Sequence, residues 1–131
     1  MKRNQNNKSN SFSISARIKS FSYAFQGIKI FFKTQHNAWI HTLATVVVIG
    51  LGNILKLSVN EWCWIILTIA LVFITEMLNT AIEFLTDLAS PEFHPLAKKT
   101  KDVAAAAVLV ASIIAVVIGV IIFVPKWIEF K

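Results

Sequence analysis

Residues 62–87 read WCWIILTIALVFITEMLNTAIEFLTD, and the fold follows from where the charges in this stretch begin. Nothing from Trp62 to Thr75 is charged, a run of fourteen residues. An α-helix rises ~1.5 Å per residue, so about twenty residues are needed to cross a hydrocarbon core ~30 Å thick. Trp62 and Trp64 suit the headgroup level, where aromatic belts form. A helix entering there must stay in the membrane to about residue 82. Glu76 then lies inside the bilayer, Glu83 at its boundary and Asp87 just beyond. Positions 76, 79, 80, 83 and 87 share one helical face.

The rest of the chain fits an integral membrane protein. Of 131 residues, 56% are hydrophobic and 15% charged, too little charge to coat a soluble domain of one-domain length. The apolar residues also gather in blocks rather than spreading evenly. Residues 38–57 form a first span, uncharged until Lys56, with Trp39 at its start. Residues 62–88 form the second. Pro91 and Pro95 then close that helix and mark a short loop, SPEFHP, which leads into the basic stretch LAKKTKD. A third span follows at 103–124, with Pro125, Lys126 and Trp127 as its exit.

Before the spans, residues 12–33 carry Ile14, Ile18, Phe21, Phe25, Ile28 and Phe32 at alternating steps of four and three, one face of a helix. Lys19, Ser22, Gln26, Lys29 and Lys33 occupy the other face. Aromatic residues opposite lysines suit a helix lying in the membrane interface. Residues 1–11, polar and Asn-rich, are expected to be a disordered tail rather than a cleaved leader. The fold class expected is all-α integral membrane, an amphipathic surface helix plus three transmembrane helices in one domain over 12–131.

The net charge is +6, and its distribution sets the orientation. Lys2, Arg3, Lys8, Arg17, Lys19, Lys29 and Lys33 precede the first span, and Lys98, Lys99 and Lys101 fill the second loop. The first loop has Lys56, and the C-terminus Lys126 and Lys131. The two richer segments should face the cytoplasm, which puts the N-terminus inside and the C-terminus outside a bacterial cytoplasmic membrane. Basic residues beside spans point to anionic headgroups and not to nucleic acid. The one cysteine, Cys63, excludes a disulfide within the chain and reads as a small apolar residue. His36 and His41, at the entrance to the first span, read as interfacial or packing residues.

A carboxylate inside a membrane is costly and is functional by default. Pairing with Lys98, Lys99 or Lys101 could account for Asp87 and for Glu83, but those lysines do not easily reach Glu76. Carboxylates at an interface can hold magnesium together with nucleotide phosphates. Phosphoryl transfer needs a metal, cations for the phosphates and a base at the acceptor hydroxyl. Glu83, Lys101 and Glu76 can supply these in turn. None of the four glycines builds a soluble nucleotide-binding loop. Composition and spacing alone leave a proton or cation pathway as open as a kinase.

The string E-M-L-N-T-A-I-E-F-L-T-D at 76–87, followed by A-K-K-T-K-D-V-A-A-A-A-V-L at 97–109, resembles the prokaryotic diacylglycerol kinase family, which includes undecaprenol kinases. The resemblance runs over nearly the whole chain. It implies a homotrimer with composite active sites shared between subunits, phosphorylating a lipid alcohol with ATP and magnesium. It implies that Glu76 is the catalytic base, that Asn79 supports the site, and that Glu83 is a metal ligand and ATP contact. Lys101 and Asp102 match nucleotide-binding positions, and Asp87, Glu92, Phe93 and His94 lie where the family contacts nucleotide. Tyr23 and Arg17 match contacts from the surface helix.

Three positions depart from the family pattern. Gln35, in Thr34-Gln35-His36-Asn37, stands where the family usually has a second metal-binding glutamate, keeping a carbonyl oxygen without the charge. Ala104 to Ala107 lack the family's glycine, and Thr86 replaces a small apolar residue. Gln35 is what a non-catalytic member of the family would be argued from. The segments H-P-L-A-K and I-F-V-P-K resemble the undecaprenol kinase branch, so undecaprenol is the expected substrate ahead of diacylglycerol.

Overall fold

The computed structural model describes residues 13–131. The tail expected at 1–11, and Phe12, lie outside the described residues. Among the described residues all regular structure is helical: α1 (Ile14–Thr34), α2 (His36–Ile54), α3 (Val59–Ala89) and α4 (Pro95–Phe130). The last three are long and apolar enough to cross a membrane. The chain divides into two units, one ending at Ile30 and one running Phe31–Lys131.

In the first unit, the Ser13 hydroxyl accepts from the Ala16 N–H at 3.4 Å and opens α1. Ile14, Ile18, Phe21 and Phe25 remain exposed along one stripe. An uncovered apolar stripe opposite a basic one is the surface pattern of a helix resting on a membrane.

The second unit is built on a seam between α3 and α4. On α3 the buried residues are Ile65, Thr68, Val72, Glu76, Asn79, Thr80 and Thr86. On α4 they are Ala104, Val108, Ala111 and Ile122. Steps of three and four place each set on one face, and alanines on α4 allow close approach of the two backbones. Threonines in the seam satisfy their hydroxyls locally, as when Thr68 donates to the Ile65 carbonyl at 2.9 Å and Thr80 to the Glu76 carbonyl at 2.9 Å. Leu57, Ile65 and Ile122 form the apolar core at the far end, with Trp62 and Phe123 packed against it. Most other large apolar side chains stay exposed, as expected where lipid or another chain supplies the cover.

The helix ends have local causes. Gln35 is extended (φ −106°, ψ 114°) and separates α1 from α2. Trp39 Nε1 donates to the Phe32 carbonyl at 3.1 Å across this break. Phe31 and Phe32 both pack on Phe73 of α3 at centroid distances of 6.5 Å, which fixes the corner. α2 ends at Ile54, earlier than the apolar run at 38–57 implies, because Lys56 turns into the left-handed region (φ 51°). Ser58 and Glu61 form a capping box that starts α3. The same Glu61 carboxylate lies 3.6 Å from Lys126 of α4.

α4 is longer than the apolar run at 103–124. Pro95 opens this helix as well as following α3, because a proline in the first turn loses no hydrogen bond. His94 caps it, with Nδ1 accepting from the Leu96 N–H at 3.1 Å. The basic stretch LAKKTKD is therefore helical. At the other end Pro125 lies inside α4 rather than terminating it.

At Gly52 of α2 the Trp62 ring of α3 packs directly on the backbone. A Cβ there would meet Trp62 ring atoms at 2.7 and 2.9 Å and Leu57 Cδ1 at 3.1 Å, whereas one at Gly50 would meet nothing within 4 Å. Gly52→Ala should destabilise the fold by about 1–3 kcal/mol through overpacking. Gly50→Ala should be neutral or stabilising by up to about 1 kcal/mol through helix propensity. Thermal melts of both variants in detergent, followed by tryptophan fluorescence, test the difference.

Candidate active site

Glu76, Asn79, Glu83 and Asp87 project from one face of α3, and their burial falls along the helix. Glu76 is 1% exposed and Asn79 7% exposed. Glu83 is half-buried and Asp87 exposed. Glu76 Oε1 and Asn79 Oδ1 are buried without a hydrogen-bond partner among the described residues. Buried polar atoms are seldom left so, and two acceptors one turn apart mark a place where a donor is missing.

Both atoms belong to residues lining one cavity of about 300 Å³, together with Asn37 and His41 of α2 and Ser112 of α4. His41 and Ser112 also line a larger, almost wholly apolar cavity between the helices. They stand at the boundary of a polar and an apolar space. Sequence reasoning passed over both. His41, whose ring centroid lies 6.3 Å from that of Phe73, was read as a packing residue. Its signal was a polar side chain four residues after Asn37 on an otherwise apolar helix. Ser112 had no signal beyond one hydroxyl in a run of alanine, valine and isoleucine.

Glu83 connects the buried part of the stripe to the α1–α2 corner. Its Oε1 accepts from Asn79 Nδ2 at 3.1 Å and its Oε2 from Gln35 Nε2 at 3.3 Å. The aromatic corner brings Gln35 here, forty-eight residues away in sequence. Gln35, Asn79 and Glu83 therefore form one hydrogen-bonded group.

Beyond Glu83 the α3–α4 loop encloses a cleft of about 450 Å³. Its walls include Asp87, Glu92, Phe93, His94, Lys101 and Asp102, all six of the residues singled out in this region. The Ser90 hydroxyl donates to the Glu92 carbonyl at 3.1 Å and shapes the loop. Lys101 pairs with Asp87, and Lys98 with Asp102 at 2.7 Å. These pairs are largely exposed, and such pairs contribute little to stability, between 0 and about 1 kcal/mol. They are easily exchanged for a ligand's charges. Arg17 and Tyr23 lie on α1 in the first unit, and the stripe belongs to the second.

Comparison with known proteins identifies the family. The model of the family described as prokaryotic diacylglycerol kinase matches residues 22–123. The undecaprenol kinase of Bacillus subtilis (strain 168) is 44% identical over 109 residues, covering 83% of this chain and 89% of that protein. A diacylglycerol kinase of Synechocystis is 43% identical over 109 residues, 82% of this chain and 62% of the longer relative. The diacylglycerol kinase of Escherichia coli K12 is 34% identical over 110 residues, 76% of this chain and 82% of that protein. The family match spans the corner, the stripe and the cleft alike, and the chain belongs to the prokaryotic diacylglycerol kinase family of membrane lipid kinases.

Proposed function

We propose that the chain transfers the γ-phosphoryl group of ATP to the hydroxyl of a membrane lipid alcohol, undecaprenol in preference to diacylglycerol. The observation that carries this reading is Glu76 Oε1, a buried acceptor without a donor in a cavity that borders an apolar space. A lipid alcohol would lay its hydrocarbon in the apolar space and offer its O–H to that oxygen. Glu76 then takes the proton as the alcohol oxygen attacks the γ-phosphorus, and the bond from that phosphorus to the β–γ bridging oxygen breaks to release ADP. Asn79 steadies Glu83 with its amide N–H and lines the same cavity as Glu76.

The nucleotide belongs in the cleft of the α3–α4 loop. Lys101 would leave Asp87 for the phosphates, and Asp102, Glu92, Phe93 and His94 would contact the nucleoside side. Tyr23 and Arg17 would contribute from α1. The segments H-P-L-A-K and I-F-V-P-K, through their likeness to the undecaprenol kinase branch, support the polyprenol over the diacylglycerol. A homotrimer with shared sites would cover the exposed apolar faces, with N-termini in the cytoplasm and C-termini outside.

Among the described residues no cluster of three or more His, Cys, Asp or Glu could cage a metal. Magnesium is commonly held by one or two carboxylates plus substrate phosphates, and Glu83, with the Gln35 side chain beside it as a neutral oxygen donor, fits that lesser demand. When bound, the ion would neutralise charge building on the phosphoryl oxygens.

Purified protein in micelles should phosphorylate undecaprenol from ATP faster than it does diacylglycerol. A folded oligomer that transfers phosphate to neither lipid refutes the proposal. Glu76→Gln should lower kcat by about 10²- to 10⁴-fold, the usual worth of a general base, without changing oligomer size on a sizing column. Lys101→Met should raise the KM for ATP about tenfold or more while sparing the KM for lipid, as expected on losing a charge-assisted phosphate contact. For the orientation, Asn60→Cys in a Cys63→Ala background should react with an impermeant maleimide applied to intact cells. Labelling only from the cytoplasmic side would reverse the proposed topology.

A further inference from the structure

Both oxygens of Glu83 are engaged, and by neutral donors from two different places. Asn79 Nδ2 reaches Oε1 at 3.1 Å from the preceding turn of α3. Gln35 Nε2 reaches Oε2 at 3.3 Å from the extended break between α1 and α2. The break is held by the Phe31–Phe32–Phe73 contacts and by the Trp39 bond to the Phe32 carbonyl, so the Gln35 backbone is a fixed support. The neighbouring lysines on α4 are paired elsewhere, Lys101 with Asp87 and Lys98 with Asp102. Glu83 is thus satisfied by amides and not by a cation.

A divalent ion at Glu83 would have to take an oxygen from one of these amides. Turning the Gln35 side chain to offer its carbonyl removes the N–H from Oε2, so the ion and the Gln35 amide compete for the same carboxylate oxygen. The carbonyl gained is uncharged, Asp87 one turn further on is paired with Lys101, and among the described residues no group of three or more His, Cys, Asp or Glu could hold a metal. Protein groups alone therefore offer one carboxylate, with one of its hydrogen bonds lost. Phosphate oxygens arriving with a nucleotide change that balance, because magnesium prefers them and keeps several of its own ligands.

We infer that Gln35 is a positioning residue that takes the place of a resident cation. It holds Glu83 in the empty enzyme, and the divalent ion enters only together with the nucleotide phosphates, displacing the Gln35 amide as it does so. This rests on the reading of Glu83 as the metal contact of a nucleotide-dependent kinase, and it adds an order of binding that the reaction alone does not require.

The test uses Mn²⁺ as probe, read by electron paramagnetic resonance on the full chain in micelles, with and without a non-hydrolysable ATP analogue. The wild-type chain should bind no stoichiometric Mn²⁺ alone and one equivalent with the analogue. Its thermal midpoint should be indifferent to EDTA. Gln35→Glu should create a nucleotide-independent site, with Mn²⁺ binding tightened about tenfold or more by the second carboxylate. Its midpoint should fall in EDTA and recover in Mg²⁺, because two carboxylates would face each other without a cation. Gln35→Ala should create no such site, which separates the added charge from simple removal of the amide.

Stoichiometric Mn²⁺ on the wild-type chain without nucleotide overturns the inference. So does a folded Gln35→Glu chain that gains no Mn²⁺ affinity, or an absence of bound Mn²⁺ even with the analogue. If Gln35→Glu fails to fold, the wild-type measurements decide. Phosphate transfer to lipid is a separate readout, so loss of the kinase reading and loss of the Gln35 inference give different results.

Discussion

A carboxylate has to be held inside an apolar bundle with an acceptor oxygen left free, and the rest of the structure answers to that demand. Burying such a group in a membrane costs several kcal/mol by most measures. Glu76 is the largest side chain in the described chain to be almost wholly buried, so the cost is concentrated at one point. The α3–α4 seam surrounds that point with groups that make no competing demands. The threonines bond to their own helix, and the α4 residues opposite are alanine and valine. Packing stabilises the seam on either side of Glu76 while leaving its Oε1 unsatisfied.

Asn79 joins two environments that would otherwise be separate. Its N–H serves Glu83 and its carbonyl faces the cavity of Glu76. One planar amide therefore fixes the spacing between the two carboxylates on either side of it. Glu83 in turn is fixed from the α1–α2 corner through Gln35. The stripe on α3 is a line of groups oriented by neighbours on both sides, with burial decreasing toward the loop.

Much of this was legible from the residue pattern. The uncharged run ending at Thr75 is too short for a membrane, which extended the expected second span past Glu76, and the apolar blocks at 38–57 and 103–124 supplied the other two. The 3–4 spacing of Glu76, Asn79, Glu83 and Asp87 put them on one face because helical periodicity depends only on position. What spacing does not carry is contact between distant segments. The Gln35–Glu83 bond depends on an aromatic corner whose rings sit in three helices, and His41 and Ser112 gained meaning only when α2 and α4 enclosed a common cavity. The start of α4, ahead of the apolar run at 103–124, is not legible for a local reason. Pro95 reads equally as a stop for one helix and as the first turn of the next, and the His94 cap, a side-chain geometry, decides between them.

The Ser58–Glu61 capping box, seen in this light, is half of a mechanical asymmetry. One carboxylate both starts α3 and meets Lys126 of α4, beside the Leu57–Ile65–Ile122 core. At the opposite end the same two helices are tied by an exposed lysine–aspartate pair. The helical pair is thus held at one end by an apolar core beside a half-buried ion pair, and at the other by the short loop and an exposed ion pair. An exchange of charges at the loop end, as proposed for nucleotide binding, would break none of the contacts at the core end.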